Sequence, residues 1–519
     1  MDINPTKIIG ANIFKKKRAL KILFVASEAG PFVKVGGLGE VMYSLPRALR
    51  ALGHDARVMI PKYATIETDK FSLKLEFSNL KIMPETNDPN GLFVSNVFRY
   101  EEKSGETIAY FLENMEYYEK RANAYGYTDD AIRWALLSKG TLEFLKKSKW
   151  IPDIIVACDW QAGLLPNYLR TEYSKEPLFS KIAMVFSIHN LSYQGMFDHH
   201  LVTQADYDAG HEEIPTFDNP RLLKLNFMRR GIMYADAINT VSPTYAQEIT
   251  TPEYGEMLDG LLIERRSRLF GILNGIDYDY YNPETDSQLD HKYSDSTLYK
   301  RSKNKNFLRK RFGLEQKENT PLLAIVSRLT DQKGFGLLFD TARSLLKNFN
   351  MQLIILGAGD SSFINFFQEL AKEYPKDVAG HFIYDESLPR LILGSADILL
   401  MPSKFEPSGL TQMEAMRYGA LPLVRKTGGL ADTVTDYEPV KQKSTGFVFE
   451  PFDSYVFYGT VIRALETFKY PQVWERIQKR AMKEDFSWSS SAKEYLKLFE
   501  KAIFFHTEEP YIYWENNKK

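Results

Sequence analysis

The chain has 519 residues, too many for one hydrophobic core and enough for two or three domains. Hydrophobic residues make up 44% and charged residues 26%; 66 basic against 67 acidic side chains leave a net charge of −1, which removes any global electrostatic case for nucleic acid or an anionic membrane. A single cysteine, Cys158, excludes a disulfide framework within the chain and a cysteine-based zinc site.

No apolar run is long enough to span a bilayer. Residues 1–19 carry the basic run Lys15-Lys16-Lys17-Arg18 without a signal-peptide core after it. They read as an extension on a cytoplasmic protein, with plastid import left open. Lys21–Ala26 is a continuous apolar run, the pattern of a strand covered on both faces. It leads through Ser27-Glu-Ala-Gly-Pro-Phe-Val-Lys34-Val-Gly36-Gly37-Leu-Gly39-Glu40 into a predicted helix over Val41–Leu52. This loop does not satisfy GxGxxG, so the dinucleotide fingerprint is not met. Gly36 and Gly37 permit close approach of a ligand to the backbone. Lys34 beside them suits a phosphate, or is a solvated loop lysine.

Strand and helix then alternate. Ala56–Ile60 is a strand, residues 64–106 are polar and irregular with room for a hairpin, and Thr107–Leu112 is a strand. Asp129–Lys147 is helical, with Ile132, Leu136, Leu137, Leu142 and Leu145 on a broad apolar face. The strands Asp153–Ala157, Lys181–Ile188 and Asp236–Thr240 run into Cys158-Asp159-Trp160, His189-Asn190-Leu-Ser-Tyr193 and Val241-Ser242-Pro243. Polar and aromatic residues thus lie just beyond carboxyl strand ends, where open α/β sheets bind ligands.

A second series begins near Phe270-Gly-Ile-Leu-Asn274-Gly275. Its strands are Leu322–Val326, Gln352–Leu356, His381–Tyr384, Ala396–Met401, Leu421–Val424 and Gly446–Phe449. Two series of similar size predict two doubly wound, Rossmann-like α/β domains, over 20–265 and 266–485, divided in the charged segment 264–268. An amphipathic helix over 486–506 and a polar tail over 507–519 follow. Lys34-Val-Gly-Gly-Leu-Gly-Glu40 is echoed by Lys426-Thr-Gly-Gly-Leu-Ala-Asp432. The echo is either chance or a cleft lined by a glycine-rich helix start from each half.

Ala396–Gly419 is the most informative stretch. A strand ends at Pro402, Glu406 sits on a loop bent by Pro407 and Gly409, and Ser408 or Thr411 is placed to cap the next helix. Free N–H groups at such a turn suit an anion, and Glu406 and Glu414 flank it. The pattern fits a nucleotide-sugar site, or an ordinary βα loop with a solvated glutamate. Asp277-Tyr-Asp279 is formally a D-x-D for a divalent metal, or a chance tripeptide at a turn. Without a metal, a leaving phosphate needs cations, here Arg328, Lys333 and Lys34. It also needs dipoles, here the Gly409–Thr411 and Gly428-Gly429 amides.

Taken in order, several of these segments resemble the bacterial glycogen synthase and plant starch synthase family. They are Lys34-Val-Gly-Gly-Leu-Gly-Glu40, Asp159-Trp160, His189-Asn190-Leu-Ser-Tyr193-Gln-Gly195, Tyr234-Ala-Asp236-Ala-Ile-Asn-Thr-Val-Ser242-Pro-Thr-Tyr245-Ala, Leu273-Asn274-Gly275-Ile-Asp277, Ser327-Arg328-Leu-Thr-Asp-Gln-Lys333-Gly334, Pro402-Ser-Lys-Phe-Glu406-Pro-Ser-Gly-Leu-Thr411-Gln and Thr427-Gly-Gly-Leu-Ala-Asp432-Thr-Val. The resemblance runs from about residue 20 to 500.

It implies a two-domain GT-B fold and a retaining glucosyltransferase. Such enzymes move glucose from ADP-glucose to the non-reducing end of an α-1,4-glucan, with no metal or other cofactor. Carried over, Lys34 and the Gly36-Gly37 loop face the donor, while Arg328, Lys333 and the amides of Gly409, Leu410 and Thr411 hold its diphosphate. Tyr384 lies near the base and Glu406 near the transferred glucose. His189 and Asp159 contact that sugar from the other domain. Glu40, Asn190 and Asn274 line the cleft, with Tyr127 and Asp129 on the acceptor side. The helix after Trp488 crosses back to the N-terminal domain. The chain departs from the family at Glu40, usually Asp, and at Ser408, usually Cys. It also has Glu414 where the family usually lacks an acid. In related GT-B families a second Glu, seven residues intervening, bonds the nucleotide ribose, so UDP-glucose is the alternative donor. A silent glucan-binding protein on the same fold is the rival from another class. The joint presence of Lys34, His189, Arg328, Lys333 and Glu406 argues against it.

Overall fold

The computed structural model describes residues 18–82, 93–121, 123–196, 208–383, 385 and 387–508. Tyr384, most of the extension and most of the tail lie outside these residues. In chain order, β1 (Lys21–Val25), β2 (Asp55–Pro61), β3 (Lys74–Ile82), β4 (Phe93–Glu101), β5 (Ile108–Glu113), β6 (Ile154–Cys158), β7 (Ala183–Ile188), β8 (Ala237–Thr240) and β9 (Leu269–Gly271) build one sheet. Its nine strands run β3-β4-β5-β2-β1-β6-β7-β8-β9. β3 and β4 are the hairpin for which residues 64–106 left room. β10 (Leu322–Val326), β11 (Gln352–Leu356), β12 (Val378–His381), β13 (Ile398–Met401), β14 (Leu421–Arg425) and β15 (Phe447–Phe449) build the second sheet, in the order β12-β11-β10-β13-β14-β15. It is parallel throughout.

Each series opens in the middle of its sheet. β1 lies between β2 and β6, and β10 between β11 and β13. Strand order reverses at these two strands, and their carboxyl ends open into the crevice that such a reversal creates. The Lys34 loop follows β1 and the Arg328–Lys333 loop follows β10. Both strands are apolar because helices cover both faces: Ile22 to Val25 and Leu322 to Ile325 are fully buried. Each such side chain contributes roughly 2 kcal/mol.

Three boundaries differ from the sequence reading. The first helix starts at Gly37, not Val41, because Leu38 packs inward with Val41, Leu45 and Leu49 at helical spacing. The strand expected at His381–Tyr384 lies at Val378–His381, where pairing with Leu353–Leu356 of β11 sets its register. The chain also leaves the first sheet later than the charged segment suggested. β9 pairs with β8, and the segment's arginines are used locally: Arg265 donates to the Ala235 carbonyl and Arg268 to that of Asp236 (3.0 Å).

Two buried apolar clusters result. One spans Ile22 to Ile272 and includes Trp488, Ala492, Tyr495, Leu498, Phe499 and Ala502 of the last helix. The other spans Ile276 to Met482. The last helix, Trp488–Glu508, therefore packs on the first sheet, with Phe499 against Phe24 and Tyr495 accepting from Asn239 at 3.2 Å. The two crossings between the clusters touch: Ile276 N–H donates to the Phe486 carbonyl at 2.8 Å. No helix among the described residues is long and apolar enough to cross a membrane.

Candidate active site

The carboxyl edges of the two sheets face one another, and the β13 loop carries the densest chemistry. Glu406 is buried there. Its Oε2 accepts from Lys333 Nζ at 2.6 Å and from Ser403 Oγ at 3.0 Å. Lys333 reaches it from a short turn after β10, closed by Gly334 at φ 71°. A Cβ on Gly334 would stand 1.9 Å from the Pro402 carbonyl oxygen, so only glycine lets the two loops approach this closely. Arg328 is exposed, and its guanidinium has no partner among the described residues.

Gly409 (φ 62°) turns the chain into the Thr411–Arg417 helix. Neither Ser408 nor Thr411 caps this helix. The Ser408 hydroxyl instead accepts from Asn274 Nδ2 at 3.2 Å, and the N-cap position, Leu410, has no capping side chain. The N–H groups of Gly409, Leu410 and Thr411 thus have no protein acceptor among the described residues. They are open to an anion.

The Gly428-Gly429 amides are not. Gly428 N–H donates to both oxygens of Glu248 at 3.1 Å, and Gly429 N–H to the Glu406 carbonyl at 3.1 Å. The second glycine-rich turn is therefore no phosphate cradle, since a carboxylate from the other domain already fills it. Asp277-Tyr-Asp279 is a capped turn in which Asp277 accepts from the N–H groups of Asp279 (2.9 Å) and Tyr280 (3.1 Å). Among the described residues no three His, Cys, Asp or Glu side chains gather as a metal site.

On the other sheet, Lys34 pairs with Glu40 at 2.7 Å, and Ser44 donates to Glu40 at 3.0 Å. Glu28 holds the loop from beneath: its buried carboxylate accepts from Val35 N–H and from Gly36 N–H at 3.2 Å. Burial pushes its pKa up. A Cβ on Gly37 would meet nothing within 4 Å, so the space before it is open. Asp159 follows β6 at φ 55° and ψ −177°, a strained backbone region that glycine alone enters readily. Its Oδ1 accepts from His189 N–H at 2.7 Å and Asn190 N–H at 3.4 Å, which makes it a strut under the β7 loop. Burial lifts Asp159 to about 7 and drops His189 to about 4, so this imidazole is neutral at neutral pH. His189 Nε2 lies 3.2 Å from Ser187 Oγ. Asn190 accepts from Ser192 N–H at 3.1 Å.

The two edges meet at Glu414. The Tyr281 hydroxyl bonds its carboxylate, and it feels Glu40 and Lys34 of the opposite domain. Burial raises it to about 7. Tyr127 and Asp129 form a cluster of their own. Tyr127 accepts from Asn123 N–H at 2.8 Å, its ring faces Arg121 and Arg133, and Asp129 pairs with Arg121. Tyr125 is the residue of this segment that reaches the β1 loop, its hydroxyl 2.8 Å from the buried Ser27 Oγ. Sequence reasoning did not single out Glu28, Tyr125, Tyr281, Ser403 or Glu248. Only Glu28 left a signal, an acid directly after the apolar β1.

Two doubly wound α/β sheets, sharing a cleft that holds these groups, define a glycosyltransferase of the GT-B class. Residues 21–264 match the family model of the starch synthase catalytic domain, and residues 306–481 that of group 1 glycosyl transferases. The chain belongs to the glycogen synthase family. Glycogen synthase of Clostridium perfringens (strain 13 / Type A) is 41% identical over 488 residues, covering 94% of this chain and 99% of that one. Glycogen synthase of Geobacillus stearothermophilus is 40% identical over 485 residues, covering 93% and 98%. Among solved structures, the catalytic domain of starch synthase IV from Arabidopsis thaliana, bound to ADP and acarbose, superposes with a TM-score of 0.81 at 31% identity. That match covers 94% of this chain and all of the other.

Proposed function

We propose that this enzyme transfers glucose from ADP-glucose to the non-reducing end of an α-1,4-glucan, with retention of configuration, without a metal, and in the cytoplasm. The observation that carries the reading is the buried Glu406–Lys333 pair at 2.6 Å beside open main-chain N–H groups. A relative bound to ADP supports ADP as the leaving group.

As the bond from glucose C1 to the diphosphate breaks, negative charge grows on the phosphates and positive charge on the sugar ring. Arg328, Lys333 and the Gly409, Leu410 and Thr411 amides meet the first. Lys333 has three donors, so it can hold Glu406 with one and a phosphate oxygen with another. Glu406 faces the second. His189, being neutral, can bond a sugar hydroxyl without placing a like charge beside the cationic ring. Attack comes from the face the diphosphate leaves: the acceptor hydroxyl oxygen bonds to C1, and its proton passes to the departing phosphate. Lys34, with Gly36 and Gly37, closes over the donor. Glu414 with Tyr281 lies on the nucleotide side, where Tyr384 is assigned to the base. Asn274, Asn190, Glu40, Asp159, Tyr127 and Asp129 are assigned to the cleft and acceptor side. Docking of the domains excludes water, which would otherwise hydrolyse the donor.

The test is glucose incorporation into glycogen from ADP-glucose and UDP-glucose side by side. ADP-glucose should be the better donor, EDTA should have no effect, and Glu406→Ala should lower the rate by about a hundredfold or more. Preference for UDP-glucose would overturn the donor assignment and make Glu414 the centre of donor choice. Glucan binding without transfer from either donor would overturn the reading as a whole.

A further inference from the structure

We infer that Glu248 is a positioning residue for Glu406: its carboxylate, from the N-terminal domain, fixes the turn against which the Glu406 loop rests. The inference builds on the proposed role of Glu406. Glu248 ends the short Pro243–Glu248 helix after β8. It accepts from the Thr427 hydroxyl at 2.9 Å and from Gly428 N–H at 3.1 Å. The next N–H, of Gly429, donates to the carbonyl oxygen of Glu406 itself at 3.1 Å and to that of Pro407 at 3.2 Å. One dipeptide therefore links a carboxylate of one domain to the main chain of Glu406 in the other.

The link has no slack. A Cβ on Gly428 would stand 2.0 Å from the Glu406 carbonyl oxygen, and one on Gly429 would stand 1.8 Å from that of Ser408. Main chain presses on main chain here, so a shift of the turn is a shift of the Glu406 loop. Three further bonds run across the same joint. Ser242 Oγ donates to the Pro407 carbonyl at 2.8 Å, and Thr244 donates through N–H (2.8 Å) and hydroxyl (2.7 Å) to Asp432. Ser242 thus grips the segment that carries Glu406 directly, and Glu248 grips the turn packed against it. The alignment of Glu406 against the sugar follows from domain docking; of the groups assigned to the diphosphate, Arg328 and Lys333 come from the β10 loop outside this joint, while the Gly409, Leu410 and Thr411 amides lie on the loop it steadies. Loss of Glu248 should then slow the chemical step most and weaken donor binding less, since two of the diphosphate's cations lie outside the joint.

The experiment uses the full chain and three variants, with kcat, KM for ADP-glucose and ADP affinity by calorimetry. Glu248→Ala should lower kcat by about tenfold or more, with a smaller loss, about threefold, in KM and ADP affinity. Glu248→Gln keeps the oxygen that accepts from both Thr427 and Gly428, and should recover most of the rate. Ser242→Ala removes the Pro407 bond together with the cap that Ser242 Oγ gives Tyr245 N–H at 3.1 Å, and should fall between. A wild-type kcat in Glu248→Ala overturns the inference, as does a rise in KM at unchanged kcat, or a Glu248→Gln no better than alanine. If Glu248→Ala does not fold, Ser242→Ala decides: folded protein with wild-type kcat overturns it. A wild-type chain that transfers from neither donor overturns the underlying reading first, which distinguishes the two failures.

Discussion

The two glycine-rich helix starts share a sequence pattern and an acidic cap, yet they do different work. In Lys34–Glu40 the capped amide, Gly36 N–H, donates to Glu28 of its own domain. In Lys426–Asp432 the matching amide, Gly428 N–H, donates to Glu248 of the other. Glu40 folds back onto Lys34, whose side chain stays 56% exposed at the cleft, whereas Asp432 reaches across to Thr244. Open space lies before Gly37, and a carbonyl oxygen lies against Gly429. One turn is a working surface and the other is a joint. A glycine pair at a helix start thus does not define a phosphate site; what covers its amides does.

The sharpest way to break this comparison is to add one methyl group to each turn. Gly429→Ala forces main chain off main chain and should cost about 3 kcal/mol of stability along with most of the activity. Gly37→Ala meets nothing and should keep its melting point, while KM for the donor rises. Equal loss of stability in the two variants would contradict the assignment.

Glu414, where the working surface meets the opposite domain, gives a smaller effect with a defined sign. Its folded pKa of about 7 lies above the ordinary carboxylate value, so the folded state holds a proton that the unfolded state releases. That stabilisation is complete below the unfolded pKa and is lost as pH rises through about 7. Glu414→Gln mimics the protonated form. Its melting point should gain on that of the wild type between about pH 5 and pH 8, and parallel profiles would contradict the burial argument. Asp159 shifts in the same direction but is common to both proteins, so the difference isolates Glu414. The smallest expected effect is Ser408→Cys. The thiol fills the same space beside Asn274, and kcat should stay within about twofold.

Much of the fold was legible because parallel strands covered on both faces are continuous apolar runs. β10 and β11 occupy the residues the pattern picked out. β12 was misplaced because Val378-Ala-Gly-His381 carries little apolar signal and takes its register from β11. Lys333 and Glu406 were legible as polar residues beyond strand ends, and they meet. The same rule selected Asp159, which proves to brace the His189 loop. Glu248 was not legible. Its partners lie about 180 positions away, and no local pattern marks a carboxylate as the cap of a distant helix.

The most direct test is to remove the matching lysines of the two turns and measure kcat/KM for ADP-glucose. Among the described residues Lys426 pairs only with Glu450, at the surface, so Lys426→Ala should change kcat/KM by less than about twofold. Lys34 is proposed to face the donor, so Lys34→Ala should lower it by about a hundredfold with no loss of stability. Equal effects of the two substitutions, or an unaffected Lys34→Ala, would contradict the account.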